Sequence, residues 1–166
     1  MGEGASSVRD VGLVLRLCGE AVVNPEWQPR DGVTHCNSAA DYVAKGFGCD
    51  EMHDKDGNPL TADEMFALFC SGENWRPVTV GGTWMLANQG SLIFAAMNSK
   101  SLNESHGHVC TIIPGDPVYS GHWEGLAPLC MNVGKENFIG RPCSFAFRQV
   151  PYFFGWKPTI EDQSNA

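Results

Sequence analysis

The apolar pattern of this chain changes period near its midpoint, and that change limits the fold more than any other feature. Up to Asn88 apolar residues recur at helical spacing. Val8, Val11, Leu13, Val14, Leu15, Leu17 and Cys18 mark an amphipathic helix over Ser6 to Gly19, with Ser7 as its cap. Ala39, Ala40, Tyr42, Val43 and Ala44 mark a second over Asn37 to Lys45, stopped by Gly46. Thr61 followed by Glu64 reads as a capping box that opens a third. A fourth covers Val80 to Asn88 and ends near Gly90. Then come "SLIFAAMN", "HVCTIIPG", "APLCMNVG" and "CSFAFRQV", short β-like runs separated by Gly, Pro, Asn and Ser. Helices first and strands afterwards predict an α+β domain, with the N-terminal helices packed on one side of an antiparallel sheet. The run "HVCTII" is apolar on both alternating faces, as suits a central strand covered on both sides.

With 166 residues the chain has enough length for one domain with a real core and too little for two. We expect a single domain over 1–166, with its core at about 7–157 and a frayed tail over 158–166. A net charge of -8 argues against a nucleic-acid partner, which favours a basic face, and against docking on anionic lipid. The apolar stretch Val11 to Val23 is broken by Arg16, Gly19 and Glu20 and lacks the basic flank and cleavage site of a signal peptide. The expectation is a protein made in the cytoplasm without a signal peptide, so that action elsewhere needs another delivery route. "DKDGNP" (Asp54 to Pro59) reads as a turn. A calcium-loop frame around Gly57 would start at Met52, which cannot be a ligand.

The seven cysteines include no CxxC pair, so neither a zinc ribbon nor a thioredoxin-type motif is written here. Cys18, Cys70, Cys110, Cys130 and Cys143 lie in apolar runs and read as small buried hydrophobes of a protein made in a reducing compartment. Cys36 differs. It follows the polar loop "RDGVTH" at a helix start, where unpaired amides and the positive end of the helix dipole favour a thiolate. That predicts a lowered thiol pKa and fast alkylation at neutral pH.

A cysteine nucleophile needs a base, and there are five histidines. His35 adjoins Cys36 but points away from it and reads as a rim residue. His53 lies in a polar turn. His122 and Trp123 lie in "YSGHWEG", a Gly-rich loop that could wall a cleft, Trp123 being equally suited to anchoring the loop. His106 and His108 flank Gly107, and His108 opens the "HVCTII" strand, the best place for a base. Asn132, the polar residue of "LCMNVG", is a candidate to orient it, with Glu136 and Asn137 as alternatives. Gln89 could donate to an oxyanion or simply cap a helix. His106, His108 and Cys110 alternate along one strand and span roughly 13 Å at about 3.3 Å per residue, too far for all three to share one ion. At best two of them could take part, and no cofactor is expected.

Taken together, "THCNSAADYV", "WRPV", "ANQGSLIFAAMN", "GHVCTIIPG" and "APLCMNVG" resemble the papain-like cysteine peptidoglycan hydrolases. The similarity is to the NlpC and CHAP groups, including the amidase effectors of type VI secretion, and spans about Gly32 to Phe147. It implies a papain-like fold in which the cysteine helix packs on the sheet with its thiol facing the first histidine of the second strand. It implies Cys36 as nucleophile, His108 as general base and Asn132 as orienting residue, a place where such families vary between His, Asn, Asp and Glu. Gln89, His122, Trp123 and His35 would line the substrate site. The implied activity is amidase or endopeptidase cleavage of peptidoglycan stem peptides, without a cofactor, in the periplasm or at the cell wall, that of a target cell included. An immunity protein plugging the Cys36 cleft and a secretion apparatus are the implied partners. The usual "DCSG" around the nucleophile is replaced by "HCNS". The alternatives are a non-catalytic binding module, or a hydrolase of the same fold acting on protein or lipid.

Overall fold

The computed structural model describes residues 9–161. They form an α+β domain around a six-stranded antiparallel sheet. The first helix, α1 (Val11–Val22), buries Val14, Leu17, Cys18 and Ala21, the stripe that its spacing predicts. Its cap is Asp10, whose side chain accepts from the Leu13 N–H at 3.0 Å, and the helix runs past Gly19. Ser6 and the expected cap Ser7 lie outside the described residues.

Helix α2 (Cys36–Gly46) packs against α1 and lays its first turn on the sheet. Gly46 is not the stop it was expected to be: the helix includes it, and the left-handed residue comes two later at Gly48. Gly46 is small for a packing reason. A Cβ there would stand 2.3 Å from Leu17 Cδ1, so glycine lets α1 and α2 close up. Helix α3 (Ala62–Ser71) opens on the expected capping box: Thr61 takes the Glu64 N–H and Glu64 reaches back to the Thr61 N–H.

The sheet is built from β1 (Trp75–Val78), β2 (Ile93–Met97), β3 (His108–Ile112), β6 (Leu129–Asn132), β7 (Phe138–Pro142) and β8 (Tyr152–Trp156), in the order β1-β8-β2-β3-β6-β7. Between β3 and β6 a small separate hairpin joins β4 (Val118–Ser120) to β5 (Gly125–Ala127). Three of the four expected strands are present. The fourth, "CSFAFRQV", is instead a 3-10 turn at Cys143–Phe145. Pro142 ends β7 just before it, and both the Ala146 and Phe147 N–H groups close back on the Cys143 carbonyl.

Helices do not sit on one side only. Helices α1, α2 and α3 cover one face, where Phe69 stacks on Phe94 and meets Phe154 and Trp75. On the other face α4 (Val80–Asn88) and Trp123 of the hairpin pack over Ile93, Ala95, Cys110 and Ile112. The cause is the sequence of β2 and β3: both are apolar at odd and even positions, so covering one face would leave the other wet.

The short helices α5 (Ser99–Leu102) and α6 (Lys157–Ile160) complete the chain's order. The expected tail from Pro158 does not hold up to Glu161. Thr159 is fully buried, its hydroxyl accepts from the Leu92 N–H at 3.0 Å, and its carbonyl accepts from Ser91 Oγ at 2.7 Å. Positions 162–166 of that tail lie outside the described residues. Among the described residues no helix is long and apolar enough to cross a membrane.

Candidate active site

Cys36 is the first residue of α2, and a turn through Asp31 and Gly32, both at positive φ, delivers the chain to it. The cysteine is only 7% exposed and packs with the α1–α3 core. Backbone N–H groups of Val109, Asn37 and Cys36 itself point at its sulfur. Burial raises the thiol above its ordinary value, and these three amides pull it back without overcoming that effect. The expected lowered pKa is therefore corrected in direction. The dipole argument holds for a helix start in water, whereas this one is pressed onto the sheet.

His108, the first residue of β3, is half-buried at the end of a central strand. Its Nε2 lies 2.7 Å from Oδ1 of Asn132, the last residue of β6. Asn132 is 5% exposed, and its Nδ2 donates to the Glu136 carbonyl at 2.8 Å. A carbonyl only accepts, so the amide orientation is fixed: Oδ1 must face the imidazole and accept its Nε2 proton. Neutral His108 then carries its proton on Nε2 and a bare lone pair on Nδ1, the form a general base needs. Burial holds the imidazole below its ordinary value; the Asn132 bond and the Glu104 carboxylate oppose this, and Lys135 adds to it.

The turn after β6 locks this pair. Asn137 Oδ1 accepts the Gly134 N–H at 2.9 Å, and Asn137 Nδ2 donates to the Trp27 carbonyl at 3.0 Å. Gly134 has to be small, because a Cβ there would stand 3.1 Å from His108 Cε1 and 3.4 Å from Asn132 Nδ2. The two alternatives to Asn132 have other work: Asn137 holds the turn and the Glu136 side chain pairs with Arg141. Phe147 closes the site from the far side, its ring centroid 5.0 Å from that of His108.

The chain thus brings His108 and Asn132 into one bonded unit and packs Cys36 beside Val109, the next residue of β3. The direct thiol–imidazole contact that the resemblance implies is not made. Cys36 belongs to the α1–α3 core, while the His108 ring touches Phe147 on the other face. The β3–β6 ladder pairs Thr111 with Met131 and Ile112 with Cys130, leaving the start of β3 unpaired with β6.

A cleft of about 570 Å³ opens beside Cys36, lined by Gly32, Thr34, Thr61, Asp63 and His106 among others. Of these the sequence reading offered no site role for Thr61 or Asp63. Asp63 Oδ1 accepts the Ser99 N–H at 2.7 Å and would meet a Cβ on Gly107 at 2.5 Å. Gly107 is thus a glycine at which the Asp63 side chain and the Met97 backbone come close. The signal at Thr61 was spent on the capping box with Glu64, Asp63 carried none, and only tertiary packing brings that helix start to the cleft.

The expected substrate-binding residues fare unevenly. His35 caps α2 without a side-chain hydrogen bond and sits half-buried between two cleft residues, Thr34 and Cys36, without lining the cleft itself. Gln89 is the exposed C-cap of α4, apart from the cleft lining. His122 is exposed in the β4–β5 turn. Trp123 is a loop anchor: its Nε1 donates to the Phe147 carbonyl at 3.0 Å and its ring packs on Phe153. Neither His122 nor Trp123 walls the cleft, because the hairpin packs on the face away from Cys36.

A search of protein-family models found no match to this chain, and a search of curated proteins found none.

Proposed function

We propose that the chain is a cysteine hydrolase of papain-like fold that cleaves amide bonds in the peptide part of peptidoglycan. The observation that carries the reading is the His108–Asn132 bond, which leaves Nδ1 as the free lone pair of His108 at the start of the strand against which Cys36 packs. A raised thiol and a lowered imidazole make the resting pair neutral, so the proton moves during attack.

In the first step Cys36 Sγ bonds to the amide carbonyl carbon as its proton passes to His108 Nδ1. The negative charge on the carbonyl oxygen is held at the start of α2, by the Cys36 N–H and the positive end of the helix. The imidazolium then gives its proton to the leaving nitrogen, the C–N bond breaks and a thioester remains. Water, giving a proton to Nδ1, releases the acid and restores the thiol. Asn132 stabilises the imidazolium through Nε2–H and holds the ring in one tautomer. The proton transfer requires the thiol and Nδ1 to come within hydrogen-bond reach in the substrate complex, with the Asn132 bond to Nε2 kept.

The cell-wall substrate, action in the periplasm or at the wall, delivery by a secretion apparatus and an immunity protein seated in the cleft all rest on the motif resemblance. Digestion of purified peptidoglycan, with mass spectrometry of the fragments, tests them at the root. Release by the wild type and none by Cys36→Ala supports the reading and identifies the bond; no release above the Cys36→Ala control rejects the cell-wall substrate. A second reading, a non-catalytic binding module, draws on the missing thiol–imidazole contact. It is favoured if the protein binds peptidoglycan equally well with and without the Cys36 thiol and releases nothing.

A further inference from the structure

Three other cysteines meet behind the His108–Asn132 pair, and the proposed hydrolysis uses none of them. Cys110 lies two residues along β3 from His108, and Cys130 two residues before Asn132 on β6. With a side-chain period of two, each strand sends its thiol to the face on which its site residue stands. Opposite Cys130 and Met131 the register with β7 shifts, because Gly140 is an extra residue on β7 and bends that strand. Cys143 comes from a third element, the turn after β7, held against the start of β6 by its N–H on the Pro128 carbonyl at 2.7 Å.

The three are buried and lie in an apolar wall that includes Ile112, Phe138, Phe147 and Phe153. Cys110 Sγ and Cys143 Sγ are 3.6 Å apart, and all three sulfurs lie within 4.8 Å of one another. A buried thiol filling space needs no sulfur neighbour. Three thiolates on one ion do: metal–sulfur bonds of about 2.3 Å place the sulfurs about 4 Å apart.

We propose that Cys110, Cys130 and Cys143 form a three-thiolate site for a soft d10 cation, zinc(II) or copper(I), clamping β3, β6 and the turn after β7. The donor set is all sulfur, and no histidine or carboxylate joins it among the described residues, which selects against magnesium and calcium. Binding makes three metal–sulfur bonds and releases the three thiol protons to solvent, with no change of oxidation state. The cation offsets the thiolate charge that the apolar wall would otherwise oppose. Its structural effect is to fix the spacing of β3 and β6 two residues behind the base and its orienting residue. The site stands whether or not Cys36 is a nucleophile.

The experiment uses the whole chain, reduced and stripped with chelator. It is titrated separately with zinc(II) and copper(I), and retained metal is measured by mass spectrometry of the element after gel filtration. The wild type and Cys70→Ser, which removes the thiol that is exposed and not buried as its apolar run predicted, should each keep one ion. Cys143→Ser and Cys130→Ser should bind at least about tenfold more weakly, losing one of three ligands. Should these two variants not fold, the wild type decides: the ion must raise its unfolding midpoint and protect Cys110, Cys130 and Cys143 together from alkylation. No retention by the wild type, retention that survives Cys143→Ser and Cys130→Ser, or protection of other thiols instead each overturns the proposal. The readouts are metal and thiol protection, so a protein that digests no peptidoglycan leaves this result intact.

Discussion

Asn132 takes the Nε2 proton of His108 at 2.7 Å while giving its own amide proton to the Glu136 carbonyl at 2.8 Å. One side chain thereby fixes both the ring's position and its tautomer. Asn132→Ala removes the tautomer lock and the acceptor that stabilises the imidazolium. On the hydrolase reading kcat should fall by about 100-fold with KM little changed, the share that a positioned acid–base group contributes. Asn132→Asp keeps the acceptor but turns a carboxylate oxygen toward the Glu136 carbonyl, so its kcat should lie between the two. Equal rates for wild type and Asn132→Ala would remove Asn132 from the mechanism.

The pH dependence of Cys36 reactivity has a definite sign. Only the thiolate alkylates, and burial raises this thiol above its ordinary value of 9.0. A raised pKa means less thiolate at neutral pH than in a free cysteine. The iodoacetamide rate at Cys36, followed by mass spectrometry of its peptide, should climb by about tenfold per pH unit through neutrality and flatten only above pH 9. Exposed Cys70 should react faster than Cys36 at every pH below that. A rate at Cys36 that is flat between pH 6 and 8 would mean a resting thiolate–imidazolium pair, contrary to the neutral pair described above.

Local signals carried through where no neighbour opposed them: the capping box did, while the Gly46 stop and the strand-like run at Cys143 did not. The Thr61–Glu64 capping box lies within four residues, and the Val80–Asn88 helix within nine, so both were legible. Strand β1 pairs with β8, and neither run announces itself: "WRPV" is half exposed, and "YFFGW" is apolar on both faces. "CSFAFRQV" alternates like a strand, yet Pro142 ahead of it forfeits the ladder. His108 and Asn132 could be picked as a pair because His108 opens a β-like run and Asn132 is the polar residue of another. The direction of the Cys36 shift could not, since a helix start reads the same in water as beneath a sheet.

Gly134 offers a graded probe of the same pair. Its φ lies outside the left-handed range, so alanine meets no backbone obstacle. The added Cβ would press on His108 Cε1 at 3.1 Å and Asn132 Nδ2 at 3.4 Å, and the ring must yield by a few tenths of an ångström. Gly134→Ala should therefore cost little stability, about 1 kcal/mol or less, but lower kcat by roughly tenfold through misplacement of the base. Thermal unfolding and kcat measured on one preparation check it; a stability loss without a rate loss would assign Gly134 to packing alone.

Gly46 tests how the helix that carries Cys36 is seated. Glycine inside a helix costs about 1 kcal/mol relative to alanine, so Gly46→Ala would stabilise α2 if nothing opposed it. Leu17 opposes it: the new Cβ would lie 2.3 Å from Leu17 Cδ1 and 2.6 Å from Cδ2, and Leu17 is buried with little room to turn. Overpacking of this kind costs about 1–3 kcal/mol, which outweighs the gain in helix propensity. Gly46→Ala alone should thus destabilise by about 1–2 kcal/mol, lowering the unfolding midpoint by a few degrees. Leu17→Ala alone leaves a cavity and costs about 2–5 kcal/mol. In that background the clash is gone, and adding Gly46→Ala should now stabilise, restoring about 1 kcal/mol. The change of sign between the two backgrounds, measured as a double-mutant cycle, is the signature of a direct α1–α2 contact. Additive effects would mean that Gly46 is small for some reason other than Leu17.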